Sequence, residues 1–222
     1  MVALSGIVRQ PRTLSVMPTY TCTAACTSCA SLSSPKVRDR LSREVIMSAI
    51  EQAAELNFAN VVFTGGEATL RWADLLAGLR HAKSLGLATR LVTNAHWATS
   101  REEALQRLQT LKNAGLDEIN YSTGDEHVRF VPIERVVTAV LAALELKQAV
   151  WVMVELRQGR EVTRDSVLGH PMLRDLSEDQ QQLLSINESP WMPLDPEDIE
   201  QYPDGVAAET LSLKSHLGCD NI

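Results

Sequence analysis

Cys22, Cys26 and Cys29 fall within eight positions of one another, spaced Cys-x3-Cys-x2-Cys, while the fourth cysteine, Cys219, stands almost at the end of the sequence. A disulfide scaffold spreads its cysteines more evenly and needs an oxidising compartment. Three clustered thiols read instead as a metal or iron–sulfur site. Zinc in a closed structural site wants a fourth protein ligand, and the nearest histidine in sequence is His81. A Cys-x2-Cys redox pair with a bystander thiol is the remaining alternative. Residues 21–36, which carry the three thiols, are rich in Ser, Thr, Ala and Pro and read as a loop.

The elements that must position this loop alternate regularly. A strand over 13–20 precedes it and stops near Pro18, because central strands avoid proline. Ser42 caps a helix over 42–56, with Glu44 in its first turn and apolar residues on one side. Strands follow at 60–63, 88–92, 118–121 and 149–156, with a sixth at 183–186. Helices are expected at 72–85, between Ser100 and Gly115, at 133–147 and at 162–168. The strands are nearly all apolar, as strands covered on both faces are. Short connections around crossing helices call for parallel strands with right-handed crossovers. No Gly-x-Gly-x-x-Gly follows the first strand, which counts against a dinucleotide fold.

In parallel α/β folds the ligand sits at the C-terminal ends of the strands. Here those ends carry the three cysteines, then Gly65-Gly66-Glu67, Thr93-Asn94, Ser122 with Asp125, and Glu155 with Arg157. The helix-to-strand turns carry no comparable set. Glu155 and Arg157 are two apart on a strand and therefore point to one side, where buried charge needs a partner.

The 222 residues suffice for one substantial core. Hydrophobic residues at 45% and charged residues at 22% exclude a disordered or fibrous chain. Lys and Arg total 21 against 28 Asp and Glu, a formal charge of −7, which does not fit a general nucleic-acid binder. Aromatics at 5% are too few for a base-stacking platform. No run of 18 apolar residues offers a membrane span, and the first residues lack a secretory signal, so the cytoplasm is the default address.

The cysteine spacing just after the first strand, joined to Gly65-Gly66-Glu67 at the end of the second, resembles the signature of the radical S-adenosylmethionine (SAM) superfamily. The resemblance covers residues 13–186 and implies an α/β fold, a partial (β/α)6 barrel. It implies a [4Fe–4S] cluster on Cys22, Cys26 and Cys29, with the fourth iron left for the amino and carboxylate groups of SAM. An electron from the cluster then cleaves SAM to methionine and a 5′-deoxyadenosyl radical, which abstracts hydrogen from a substrate. The implied SAM contacts are Gly65, Gly66, Glu67, Asn94, Ser122, Asp125, Glu155 and Arg157. Ser28 stands where the superfamily often has an aromatic residue near the adenine.

The loop from Ser122 to His127 resembles that of peptide-modifying members, which makes a ribosomally made precursor peptide the expected substrate and a flavodoxin or ferredoxin the expected electron donor. The expected organisation is an N-terminal segment 1–12, a barrel 13–195 and a linker or truncated auxiliary-cluster domain 196–222 that begins to offer Cys219. Trp191 and Met192 follow the sixth strand, where they pack or line a substrate mouth. The alternatives are a cluster protein that binds or regulates without turnover and a zinc-stabilised domain.

Overall fold

The alternation resolves, in a computed structural model that describes residues 12–190, into six strands and seven α-helices among the described residues. Trp191, Met192, Cys219 and the stretch 196–222 lie outside the described residues. The chain runs β1 (Thr13–Val16), α1 (Arg43–Glu55), β2 (Asn60–Phe63), a 3-10 turn (Ala68–Arg71), α2 (Trp72–Ser84), β3 (Ala88–Thr93), α3 (Arg101–Asn113) and β4 (Glu118–Thr123). It continues through α4 (Asp125–Val128), α5 (Ile133–Glu145), β5 (Ala149–Leu156), α6 (Arg164–Leu168), a 3-10 turn (Pro171–Leu173), α7 (Glu178–Leu183) and β6 (Leu184–Pro190).

All five strand pairings are parallel, and the strands lie side by side in chain order from β1 to β6. Each helical connection returns the chain to the same end of the sheet, so every strand points its C-terminus at one rim. This is the topology of a partial (β/α)6 barrel, with β1 and β6 at its two open edges.

Local chemistry sets the helices. The Ser42 hydroxyl accepts the Val45 N–H, and Ser100 does the same for Glu103, so α1 and α3 start where the sequence places their caps. Ile46, Ile50 and Ala53 then recur on one face of α1 and are buried. Helix α5 buries seven residues, among them Val136, Val140 and Leu144, between the sheet and α3. Val61, Phe63, Leu91, Ile119, Val150 and Val152 fill the sheet side of the same core.

Among the differences from the sequence expectation are three at β4, α6 and β6. Strand β4 extends to Thr123, because Ser122 and Thr123 pair with Met153 and Val154 of the long β5. The sixth strand is Leu184–Pro190, and Leu183 belongs to a helix. That helix is nucleated by a reciprocal capping box of Ser177 with Gln180, and β5 supplies a seven-residue ladder for the strand that follows. The helix expected at 162–168 starts only at Arg164, where Thr163 and Ser166 form a second capping box.

Helix α2 reaches β2 through Gly78, where a Cβ atom would lie 2.8 Å from two ring carbons of buried Phe63. Glycine to alanine inside a helix ordinarily gains about 1 kcal/mol. Here the sign is reversed. Gly78→Ala is expected to destabilise the protein by about 1–3 kcal/mol through overpacking, read as a lower urea midpoint at unchanged m-value. A gain in stability would contradict the close packing of α2 on Phe63.

Candidate active site

At the C-terminal rim of the sheet lies a cavity of about 640 Å³. Its walls include Met17, Tyr20, Cys22, Cys26 and Cys29 from the segment after β1, Thr64-Gly65-Gly66 after β2, Thr93-Asn94 from β3, Ser122 from β4, His127 from α4, and Pro190 at the end of β6.

The cysteine segment has no helix or regular strand of its own, so hydrogen bonds from its neighbours shape it. Cys22 N–H donates to Ser34 O at 3.2 Å, and Leu32 N–H to Cys29 O at 2.9 Å. From β2 come Gly66 N–H to Thr19 O and Glu67 N–H to Thr21 O, both 2.9 Å. The Asn94 side-chain amide donates to Thr23 Oγ1 at 3.0 Å and lies 3.7 Å from Cys22 Sγ. Thr27 N–H, between Cys26 and Cys29, donates to Glu126 Oε2 at 2.9 Å.

The two glycines serve this packing. A Cβ on Gly66 would sit 2.3 Å from the Thr21 carbonyl oxygen, and one on Gly65, at φ +106°, 2.8 Å from that of Thr19. Gly65 also needs the left-handed backbone that L side chains avoid. The close approach is therefore to the segment that leads into Cys22.

Of the residues singled out in the sequence, Cys22, Cys26, Cys29, Gly65, Gly66, Asn94 and Ser122 share the cavity wall. The four charged candidates are not among the residues that line the cavity. Glu67 is 1% exposed, and its carboxylate accepts Thr69 N–H (3.1 Å), Thr69 Oγ1 (2.6 Å), Thr93 Oγ1 (2.9 Å) and Asn94 N–H (2.9 Å). That carboxylate ties the end of β2 to the end of β3. Asp125 accepts the N–H groups of Glu161 and Val162, fastening the loop after β5.

Glu155 is fully buried, accepts Glu126 N–H at 3.1 Å and lies 3.6 Å from Arg157, which in turn reaches Glu126 Oε1 at 3.1 Å. Burial pushes the Glu155 carboxyl up, helped by the charges of Glu126 and Asp125 and opposed by the Glu126 N–H and Arg157. Sequence reasoning missed Glu126 altogether. Its signal was faint: one more acidic residue in the first turn after Gly124.

Two of the thiols resist ionisation. Burial raises Cys22, and pushes Cys26 up to about 12, with Cys29, Cys22, Glu126 and Glu155 adding negative charge nearby. Uptake of a metal must therefore expel protons. Among the described residues no three His, Cys, Asp or Glu side chains converge on one point. A [4Fe–4S] cluster binds its thiolates on separate irons, and three cysteines on the wall of one cavity supply the donor set for three of them.

A family model described as the Radical SAM superfamily matches residues 16–154. The chain belongs to that superfamily. The PqqA peptide cyclase of Xanthomonas oryzae pv. oryzae (strain MAFF 311018) is 34% identical over 108 residues, 48% of this chain and 27% of that protein. The PqqA peptide cyclase of Rhizobium meliloti (strain 1021) is 33% identical over 105 residues, 47% of this chain and 26% of that protein. The chain thus matches about a quarter of the length of these curated relatives.

Among solved structures, Streptococcus suis SuiB bound to S-adenosylmethionine superposes with a TM-score of 0.64 at 16% identity, over 92% of this chain and 47% of that one. TYW1 with a lysine-pyruvate adduct bound gives 0.56 at 14% identity, over 95% and 74%. These likenesses show that the radical SAM chain shares their fold.

His127 lines the cavity at 8% exposure, and burial drives its imidazole down to about 4 against the pull of Glu126. The unfolded chain protonates this ring near pH 6.5 while the folded one keeps it neutral, so its contribution to stability is complete above that pH and fades as pH falls towards 4. Metal-free protein is expected to lose about 2 kcal/mol of unfolding free energy between pH 7.5 and pH 5 through this ring alone. Denaturant titrations of wild type and His127→Gln should differ by that amount in their pH dependence. Parallel curves would show that the ring is not buried neutral.

Proposed function

We propose that this chain is the catalytic barrel of an enzyme that cleaves SAM reductively at a [4Fe–4S] cluster and abstracts hydrogen from a substrate. The observation that carries the reading is the sharing of one cavity by Cys22, Cys26, Cys29, the Gly65-Gly66 loop, Asn94 and Ser122. Its volume, about 640 Å³, falls within the range of cofactor and small-ligand sites. When bound, the reduced cluster supplies the electron that cleaves the sulfonium of SAM and so generates a 5′-deoxyadenosyl radical.

The chain's own part is to hold, orient and enclose. Cys22, Cys26 and Cys29 anchor the cluster. Ser122 and Asn94 offer hydroxyl and amide groups to SAM from the ends of β4 and β3. Neutral His127 and Met17 bound the cavity with little charge. Glu67, Asp125, Glu155 and Arg157 act behind this wall by fixing the loops. A peptide substrate is favoured by the sequence match to peptide cyclases, and a flavodoxin or ferredoxin is the electron donor that such chemistry calls for. Among the described residues no helix is long and apolar enough to cross a membrane.

Anaerobically reconstituted protein is expected to hold about four iron and four sulfide ions per chain, and to release 5′-deoxyadenosine from SAM under dithionite. Cys22→Ala, Cys26→Ala or Cys29→Ala should lose the cluster, while Cys219→Ala keeps it. Ser122→Ala should keep iron but bind SAM about ten- to hundredfold more weakly by calorimetry, the loss of one hydrogen bond to a charged ligand. Gly66→Val should lose iron as well as SAM, because the new side chain strikes the Thr21 carbonyl. Iron retained with no 5′-deoxyadenosine at any SAM concentration would favour a cluster protein without turnover.

A further inference from the structure

The segment between Cys26 and Cys29 is joined to the far side of the sheet by one side chain. Glu126, in α4, accepts the Thr27 N–H at 2.9 Å across 99 positions of sequence. Its side chain is only 9% exposed. Burial works against its charge, but the Thr27 N–H and Arg129 outweigh it and hold the carboxyl below the usual range. Arg129 Nη1 donates to both Glu126 oxygens at 3.0 and 3.2 Å, and Arg157 Nη1 to Oε1 at 3.1 Å.

The backbone of Glu126 is itself held, because its N–H donates to the fully buried Glu155 carboxylate at 3.1 Å. Gly124, at φ +140°, makes this contact fit, since a Cβ there would lie 2.3 Å from the Glu155 Cβ. Glu126 is thus an anchored anion whose remaining hydrogen-bonding capacity is spent on the cysteine segment.

From this geometry we infer that Glu126 is a positioning residue for the cluster: it holds the Cys26–Cys29 turn in its ligand-ready shape, and its charge makes the bound cluster harder to reduce. The second effect follows from Coulomb's law, because reduction adds an electron beside a fixed negative charge. Glu155 and Arg157 act through Glu126. The inference rests on the reading that the three cysteines hold an iron–sulfur cluster, and its first test does not.

Hydrogen–deuterium exchange on the metal-free full chain reads the clamp alone. In Glu126→Ala the amides of 23–29 are expected to exchange about ten- to hundredfold faster, the effect of losing a hydrogen bond to a charged group, while β5 amides keep their wild-type protection. Unchanged exchange at 23–29 would overturn the clamp, and β5 losing protection equally would mark a general folding defect and overturn it too. Glu126→Gln keeps an acceptor for Thr27 without the charge, so its loop should exchange within a few-fold of wild type. After reconstitution with iron and sulfide, Glu126→Ala should lose iron to a chelator about tenfold faster than wild type. Glu126→Gln should retain its cluster but show a higher midpoint potential by electron paramagnetic resonance titration. A wild-type potential in Glu126→Gln would refute the electrostatic role. Wild-type protein that took up no iron and sulfide would overturn the cluster reading along with the proposal, even if the exchange data stood.

Discussion

Everything at the rim depends on the fixing of a loop that has no structure of its own to fall back on. Glu67 is the knot. Its backbone N–H holds Thr21, the residue before Cys22, and its carboxylate holds Thr69, Thr93 and the backbone of Asn94. Asn94 then reaches from β3 back to Thr23 in the cysteine loop. A carboxylate buried to 1% exposure is costly unless its oxygens are fully bonded, and four donors meet that need. The bonds that stabilise the charge join the ends of β2 and β3, and the backbone N–H of the same residue ties that pair to the segment leading into Cys22.

A second set of ties works from the other side. Glu126 and Glu155 are both buried carboxylates, and Arg157 lies against both. Their arrangement leaves the cavity wall itself almost uncharged. Burial raises the thiols of Cys22 and Cys26 and keeps His127 neutral at physiological pH, and most of the remaining lining is hydroxyl, amide, glycine or apolar. Charge is kept one layer back, where it orients groups and sets the local field. In such a low-dielectric cavity an incoming charged ligand interacts more strongly with what little polarity it meets than it would in water.

The scaffold was legible because its signals are local. Ser42 and Ser100 cap helices by bonding three residues on, and β2 and β5 are mostly apolar runs bounded by turns. The cysteine spacing and Gly65-Gly66 were equally readable, since each depends on neighbours in sequence. The roles of the charged residues were not. The two-residue spacing of Glu155 and Arg157 places them on one side but does not say that Glu126 stands between them and the cysteine loop. Glu67 sits beside the glycines in sequence, yet its partners are two residues on at Thr69 and 26–27 residues on at β3. Such pairings are set by how strand ends meet, which no periodicity encodes. The missed helix α7 is a different case: its Ser177–Gln180 box is a local signal, obscured by the apolar residues of the strand it feeds.

The central claim is that three thiolates on this loop leave one iron of a cluster open to SAM inside the cavity. Electron paramagnetic resonance of dithionite-reduced, reconstituted protein, with and without saturating SAM, tests it most directly. The spectrum is expected to change when SAM is added, because the open iron gains new ligands. An unchanged spectrum at saturating SAM would mean that the fourth iron is already closed, and the assignment of the cavity as a SAM site would fall.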